Sequence, residues 1–146
     1  MAGKATSFQN DVLKLFFNNT TIATIGDATG IVGSGAAGSL YASLHTADPS
    51  AGTQATNEIS YTGYARVAIA RTTGGFTVTG NTATFAAACT FGAMTAGTGG
   101  TVTFAALGAA VSGAGKILYA GAVTPNLSVS NGVTPQLAAT SNVTES

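Results

Sequence analysis

Charged side chains are scarce in this sequence. Only 7% of its 146 residues are charged, and five basic residues balance five acidic ones, whereas ordinary soluble domains are roughly 25% charged. The basic residues are spread along the chain and form no cluster, which argues against a nucleic-acid-binding surface. A net charge of zero leaves little repulsion between copies, so the composition favours self-association.

Cysteine and long apolar runs are nearly or wholly absent. The single Cys89 excludes an internal disulfide and a cysteine zinc site. No apolar run approaches the roughly 20 residues of a membrane helix. Residues 1–9 lack the basic start and apolar stretch of a signal peptide. We therefore expect no membrane association and assembly in a cytoplasm.

Residues 7–18 form the one segment with a convincing helical pattern. Thr6 and Gln9 have the spacing of a capping box, which predicts the start of a helix there. The apolar face is broad for so short a helix and needs a covering surface. Its residues recur at helical spacing: Phe8, Val12, Leu13, Leu15, Phe16 and Phe17.

Beyond residue 38 the pattern changes to the two-residue alternation of β-strands. About eight short strands are separated by Gly, Asn and Pro turns. This spacing predicts an all-β fold, a jelly-roll-like β-sandwich of about eight antiparallel strands with one short N-terminal helix. We divide the chain into residues 1–38, a helix with a glycine-rich connection, and residues 39–146, a β-sandwich that forms a single globular unit.

Two segments near the C-terminus carry more specific predictions. Residues 116–123 are apolar on both faces, as expected of a central strand or of a strand in an interface. Pro125 is expected to break this strand, since proline cannot donate to a sheet ladder. Residues 140–146 are polar and are expected to be loose.

Two glycine-rich motifs suggest nucleotide chemistry but lack the necessary context. Residues 33–38 read G-S-G-A-A-G, yet a strand pattern follows them where a dinucleotide fingerprint requires a helix. Residues 113–116 read G-A-G-K, and Ile117 stands where a phosphate loop requires Ser or Thr. We interpret both as turns and predict no cofactor.

His45 is the only histidine. A catalytic interpretation would pair it with Asp48 and with a serine such as Ser43, but no G-x-S-x-G nucleophile elbow accompanies it. We favour a hydrogen-bonded corner formed by His45 and Asp48 at a strand end. No cluster of metal ligands is visible either. The sequence therefore predicts a protein that is not an enzyme, with no catalytic residue and no bound metal.

Arg66 and Arg71 stand out because charges are rare. One interpretation is a salt bridge between subunits, to Asp48 or Glu58; the other is an internal pair or a solvated side chain. The uncovered helix face is the other candidate contact surface. The candidate interface residues are Phe8, Val12, Phe16, Arg66 and Arg71.

Several segments resemble a recurring pattern in small virion proteins of tailed phages. These segments are L-Y-A-S-L-H-T-A-D-P at 40–49, Glu58 with Y-A-R at 64–66, G-K-I-L-Y-A-G-A-V-T at 115–124, and S-N-V-T-E at 141–145. The proteins concerned include capsid cement or decoration proteins and tail-fibre-like proteins.

The resemblance implies a β-sandwich on the virion. The role we favour is that of a cement protein on the capsid exterior, which binds the major capsid protein and copies of itself as dimers or trimers at capsid symmetry axes. The alternatives are a tail-fibre or baseplate-associated structural protein and a carbohydrate-binding β-sandwich module.

Overall fold

The computed structural model describes residues 3–146. Within that range, the predicted all-β class with one short N-terminal helix is confirmed, with nine strands rather than about eight, and the architecture is consistent with the predicted β-sandwich. The strand pairs whose register is defined are antiparallel. The elements are α1 (Thr6–Asn18), β1 (Ser39–His45), β2 (Val67–Ala70), β3 (Phe76–Thr79), β4 (Thr82–Phe85), β5 (Cys89–Thr90), β6 (Gly100–Gly108), β7 (Ile117–Val129), β8 (Gln136–Leu137) and β9 (Asn142–Thr144).

The described chain divides into two compact units. The first contains the chain up to Ser39 together with Ala70–Ala88 and Ala138–Ser146. The second contains Leu40–Ile69 and Cys89–Leu137. The division predicted from sequence, between residues 38 and 39, stays a prediction.

In the first unit, α1 packs against the sheet β3-β4-β9 through aromatic side chains. The ring centroids of Phe17 and Phe76 lie 4.7 Å apart at an interplanar angle of 60°. Phe76 also contacts Phe85 across the β3–β4 pair, at 5.8 Å. Such tilted pairs add to the stabilisation that burial of the rings provides. The helix therefore packs on the sheet through Leu13 and Phe17, two residues of its predicted apolar face, and both are fully buried.

The two ends of α1 differ in how well the sequence predicted them. The capping box was wrong: the helix already includes Thr6, the N-cap position is Ala5, and no side chain caps that end. The other end is confirmed. Asn19 adopts a left-handed conformation (φ 53°), which ends the helix, and the Thr20 N–H donates to the Lys14 carbonyl at 3.1 Å.

The C-terminal segment was predicted to be loose, and this was wrong. Strand β9 pairs with β4, so that Val143 lies opposite the buried Ala83. An ion pair between Lys4 and Glu145, 2.9 Å long, lies next to this pairing. The polar composition gives no strand signal, because a three-residue edge strand needs only one apolar side chain that faces inward.

The second unit is built on the sheet β2-β1-β6-β7 and the short pair β5-β8. Strand β1 is central in the sheet, and its last four residues are all buried. The buried Gln54 fills the space beside the β6–β7 connection. Its Oε1 accepts from the Ala110 N–H at 2.9 Å and its Nε2 donates to the Tyr41 carbonyl at 3.2 Å. A Cβ at Gly108 would collide with this amide, which explains the glycine there.

Strand β7 differs from its prediction in two ways. It lies at an edge of the sheet, so the predicted central position is wrong, whereas the alternative, a strand in an interface, stays a prediction. It also continues past Pro125. Its pairing with β6 is nevertheless interrupted at the proline. Val102 pairs with Leu127 and Phe104 with Ala122, which leaves residues 123–126 opposite Thr103 alone. Proline is tolerated here because edge strands and bulges do not require its missing N–H.

Replacement of Phe76 by alanine tests the core of the first unit. We expect Phe76→Ala to lower the free energy of unfolding by about 3–5 kcal/mol, because it removes a ring that is 1% exposed. The matched control is Phe16→Ala, whose ring is 40% exposed and whose loss should cost less than about 1 kcal/mol. Urea unfolding measures both values. Equal effects would contradict this account of the helix packing.

Candidate functional site

Ser43 and His45, two residues apart on β1, are hydrogen bonded to each other. The distance from Ser43 Oγ to His45 Nε2 is 2.9 Å, and His45 Nδ1 lies 2.9 Å from the Thr56 carbonyl oxygen. Because a carbonyl only accepts, Nδ1 carries the proton and Nε2 accepts from the serine hydroxyl. This is the arrangement of a nucleophile with its base. Both side chains are 0% exposed, however, so no substrate reaches them.

Asp48 is not part of this arrangement. Its Oδ1 accepts from the Ser50 N–H at 2.9 Å in a turn, which lowers the pKa of the Asp48 carboxyl. The predicted corner of His45 with Asp48 is therefore wrong in its partners, although each residue is hydrogen bonded. A lone histidine gives no signal in sequence that distinguishes Ser43 from Asp48 as its partner, since both lie within three residues.

Burial governs the protonation of His45. It lowers the pKa of the imidazole below its ordinary value of 6.5. The hydrogen bond that Nδ1 donates to the Thr56 carbonyl and the charge of Glu58 oppose that shift, whereas the charge of Arg66 adds to it. The neutral ring is thus the form that the fold stabilises.

Arg66 forms a bidentate ion pair with Glu58. Arg66 Nε lies 2.7 Å from Glu58 Oε1, and Nη2 lies 2.7 Å from Oε2. The Tyr64 hydroxyl donates to the same Oε1 at 2.8 Å and accepts from the Leu44 N–H at 3.1 Å. Burial raises the pKa of Tyr64, so this hydroxyl stays protonated and able to donate. The hydrogen bonds to Glu58 raise the pKa of Arg66.

The remaining donors of Arg66 fix the connection between β6 and β7. Nη1 donates to the Ala110 carbonyl at 3.0 Å, and Nη2 donates to the Gly113 carbonyl at 2.7 Å. The residue is 8% exposed. The second interpretation from sequence, an internal pair for which no partner was predicted, describes this geometry, with Glu58 as the partner. A role of Arg66 between subunits stays a prediction.

Arg71 binds the C-terminal end of α1 within the first unit. Nε donates to the Phe16 carbonyl at 2.6 Å and Nη2 to the Leu15 carbonyl at 2.8 Å. Nη1 donates to the Ala37 carbonyl at 3.2 Å. A cation that satisfies the last carbonyls also complements the helix dipole. The guanidinium therefore has partners inside the chain, and its predicted interface role stays a prediction.

The apolar candidates on α1 remain at the surface. Phe8 and Phe16 are 36% and 40% exposed, and Val12 is partly buried. These three residues line a face that the described chain covers only in part. Their predicted role as an interface stays a prediction.

The two glycine-rich motifs lie in loops, as predicted. Residues 33–38 precede strand β1, and residues 113–116 lie between β6 and β7, with neither motif at the start of a helix. Across residues 3–146, no group of three or more His, Cys, Asp or Glu side chains is arranged to hold a metal ion. Over the same range, no helix is long and apolar enough to cross a membrane.

The chain belongs to a family of phage fibre proteins. Residues 4–144 match the family described as podophage GP4 fiber I protein gp80. The protein is thus a structural, tail-fibre-like component of a phage virion. This agrees with the class implied by the sequence resemblance and fits the tail-fibre alternative better than capsid cement. No curated protein matches the chain.

Replacement of Arg66 tests whether its ion pair is structural. Arg66→Met leaves Glu58 without its partner, and we expect the free energy of unfolding to fall by about 3–5 kcal/mol. The double variant Glu58→Gln/Arg66→Met should recover part of that loss, because no carboxylate is then left unpaired. Lys4→Met is the control: it breaks the more exposed Lys4–Glu145 pair and should cost less than about 1 kcal/mol. A small effect of Arg66→Met would contradict the assignment.

The lowered pKa of His45 predicts a pH-dependent stability. The unfolded chain takes up a proton near pH 6.5, whereas the folded chain resists it, so stability is lost as the pH falls below that value. Between about pH 7.5 and about pH 5, we expect the melting temperature of the native protein to fall. His45→Gln should flatten this slope, since no other histidine is present. Identical slopes would show that His45 is not the responsible group.

Proposed function

We propose that this protein is a non-enzymatic structural subunit of a podophage tail fibre. The observation that supports the role best is the family match over residues 4–144, which covers both units. The family description names a fibre protein, and this is the reason to prefer the tail fibre to the capsid shell as its location.

The geometry of the buried polar groups supports the non-enzymatic part of the proposal. The residues with the most reactive arrangement, Ser43 and His45, have no exposed surface. Glu58 and Arg66 neutralise each other, and Arg66 also holds the loop that contains Gly113. These groups stabilise the fold, and a structural subunit of a particle needs a stable fold.

Immunogold labelling of intact virions, combined with quantitative mass spectrometry, tests the location. We expect gold particles at the tail and a copy number on the order of tens per particle. Gold over the capsid shell, with copies on the order of hundreds as icosahedral symmetry provides, would overturn the fibre assignment in favour of capsid cement. Absence from purified virions would overturn both.

A further inference from the structure

The chain contains a single Asn-Gly sequence, at Asn131 and Gly132. Both residues are exposed and lie in the connection between β7 and β8. Within residues 3–146 the Asn131 side chain makes no hydrogen bond, so no contact holds its carboxamide in place.

Asparagine followed by glycine is prone to deamidation, because glycine has no side chain that hinders attack by its own backbone nitrogen. That nitrogen attacks the asparagine Cγ. A C–N bond forms, the Cγ–Nδ2 bond breaks, and ammonia leaves with the proton of the attacking nitrogen. Water then opens the cyclic succinimide at one of its two carbonyl carbons, and the product is aspartate or isoaspartate. The net change is the loss of ammonia and the uptake of water.

In the native fold the Gly132 nitrogen is engaged. Its N–H donates to the Met94 carbonyl at 2.8 Å. The Val133 N–H donates to the Ser130 carbonyl at 2.9 Å and closes the turn, and the Met94 N–H donates to the Val133 carbonyl at 2.9 Å. Met94 thus binds the turn through both of its backbone groups. Because Met94 is 3% exposed, water has little access to compete for these bonds.

The turn requires the glycine but not the asparagine. Gly132 has a φ of 85°, whereas the φ of Asn131 is not positive, which is the pattern of a type II turn. A residue other than glycine would be strained at position 132. At position 131 neither the backbone conformation nor a side-chain contact calls for asparagine, so this residue can be replaced without loss of the turn.

We infer that Asn131 is a latent deamidation site, which the hydrogen bond from Gly132 to Met94 keeps unreacted in the native protein. Attack requires the nitrogen to lose its proton and to turn toward Cγ of Asn131, and this bond must open for both. Deamidation therefore proceeds through the open form of the turn, and the population of that form sets its rate. The inference goes beyond the proposed fibre role and does not depend on it.

Deamidation makes a transient opening of the turn permanent in the covalent structure. It adds a negative charge to a chain whose net charge is zero. The isoaspartate product also lengthens the main chain within the turn. Each opening of this turn therefore exposes the subunit to an irreversible change, against which the native hydrogen bonds protect it.

Peptide mass spectrometry of the full chain tests the inference. Native protein and guanidinium-unfolded protein are incubated side by side in mildly alkaline buffer, and the appearance of aspartate and isoaspartate at position 131 is followed. We expect the unfolded chain to deamidate at least about tenfold faster, because the open turn is a minor state of the native protein. Equal rates in the two samples would overturn the inference.

Two serine variants assign the reaction to its site. In the unfolded chain, Asn131→Ser should remove most of the acidic product that ion-exchange chromatography separates. Asn126→Ser is the matched control and should leave its rate unchanged, since Asn126 is followed by Leu127, whose side chain hinders ring closure. Acidic product that forms in Asn131→Ser at the unmutated rate, or that is lost equally in both variants, would refute the assignment.

Native-state hydrogen exchange identifies the barrier. The Gly132 amide should be protected although the residue is exposed, because its N–H is hydrogen bonded. Guanidinium below the unfolding transition should accelerate exchange of this amide and deamidation of Asn131 by the same factor, since both proceed through the open turn. An amide that exchanges as fast as in the unfolded chain would contradict the inference, as would deamidation that does not follow the exchange.

Discussion

The bidentate ion pair of Arg66 with Glu58 is the interaction on which the second unit depends. It draws a desolvated guanidinium against the carbonyls of Ala110 and Gly113, and it thereby fixes the connection from which β7 starts. A buried cation is tolerated only when its donors are satisfied, as they are here. The position of the longest strand in the sheet thus follows from a contact between residues far apart in sequence.

Several of the few charged side chains make contacts within the chain. Arg66, Glu58 and Arg71 are used in internal contacts, and Lys4 pairs with Glu145. Few charged side chains are left to keep copies apart. The half-exposed aromatic rings of Phe8 and Phe16 on α1 add apolar surface to a chain that belongs to a family of phage fibre proteins.

Local patterns in the sequence predicted the local elements and little beyond them. The helix, the all-β class and the apolar character of β7 follow from periodicity, because each depends on residues within one element. Arg71 binds carbonyls of α1 about 55 residues away, and a single sequence does not indicate which of several distant groups an arginine meets. For the same reason the sequence leaves open whether β7 is a central strand or a strand in an interface. Its apolar composition indicates that both faces need to be covered, whereas its edge position depends on long-range pairing.

The central claim is that the ion pair of Arg66 with Glu58 holds the connection between β6 and β7 in place. Native-state hydrogen exchange of the Ala109 amide tests it most directly, because the Ala109 N–H donates to the Lys116 carbonyl across that connection. The account predicts that this amide exchanges faster in Arg66→Met than in the unmutated protein. An unchanged exchange rate would contradict it.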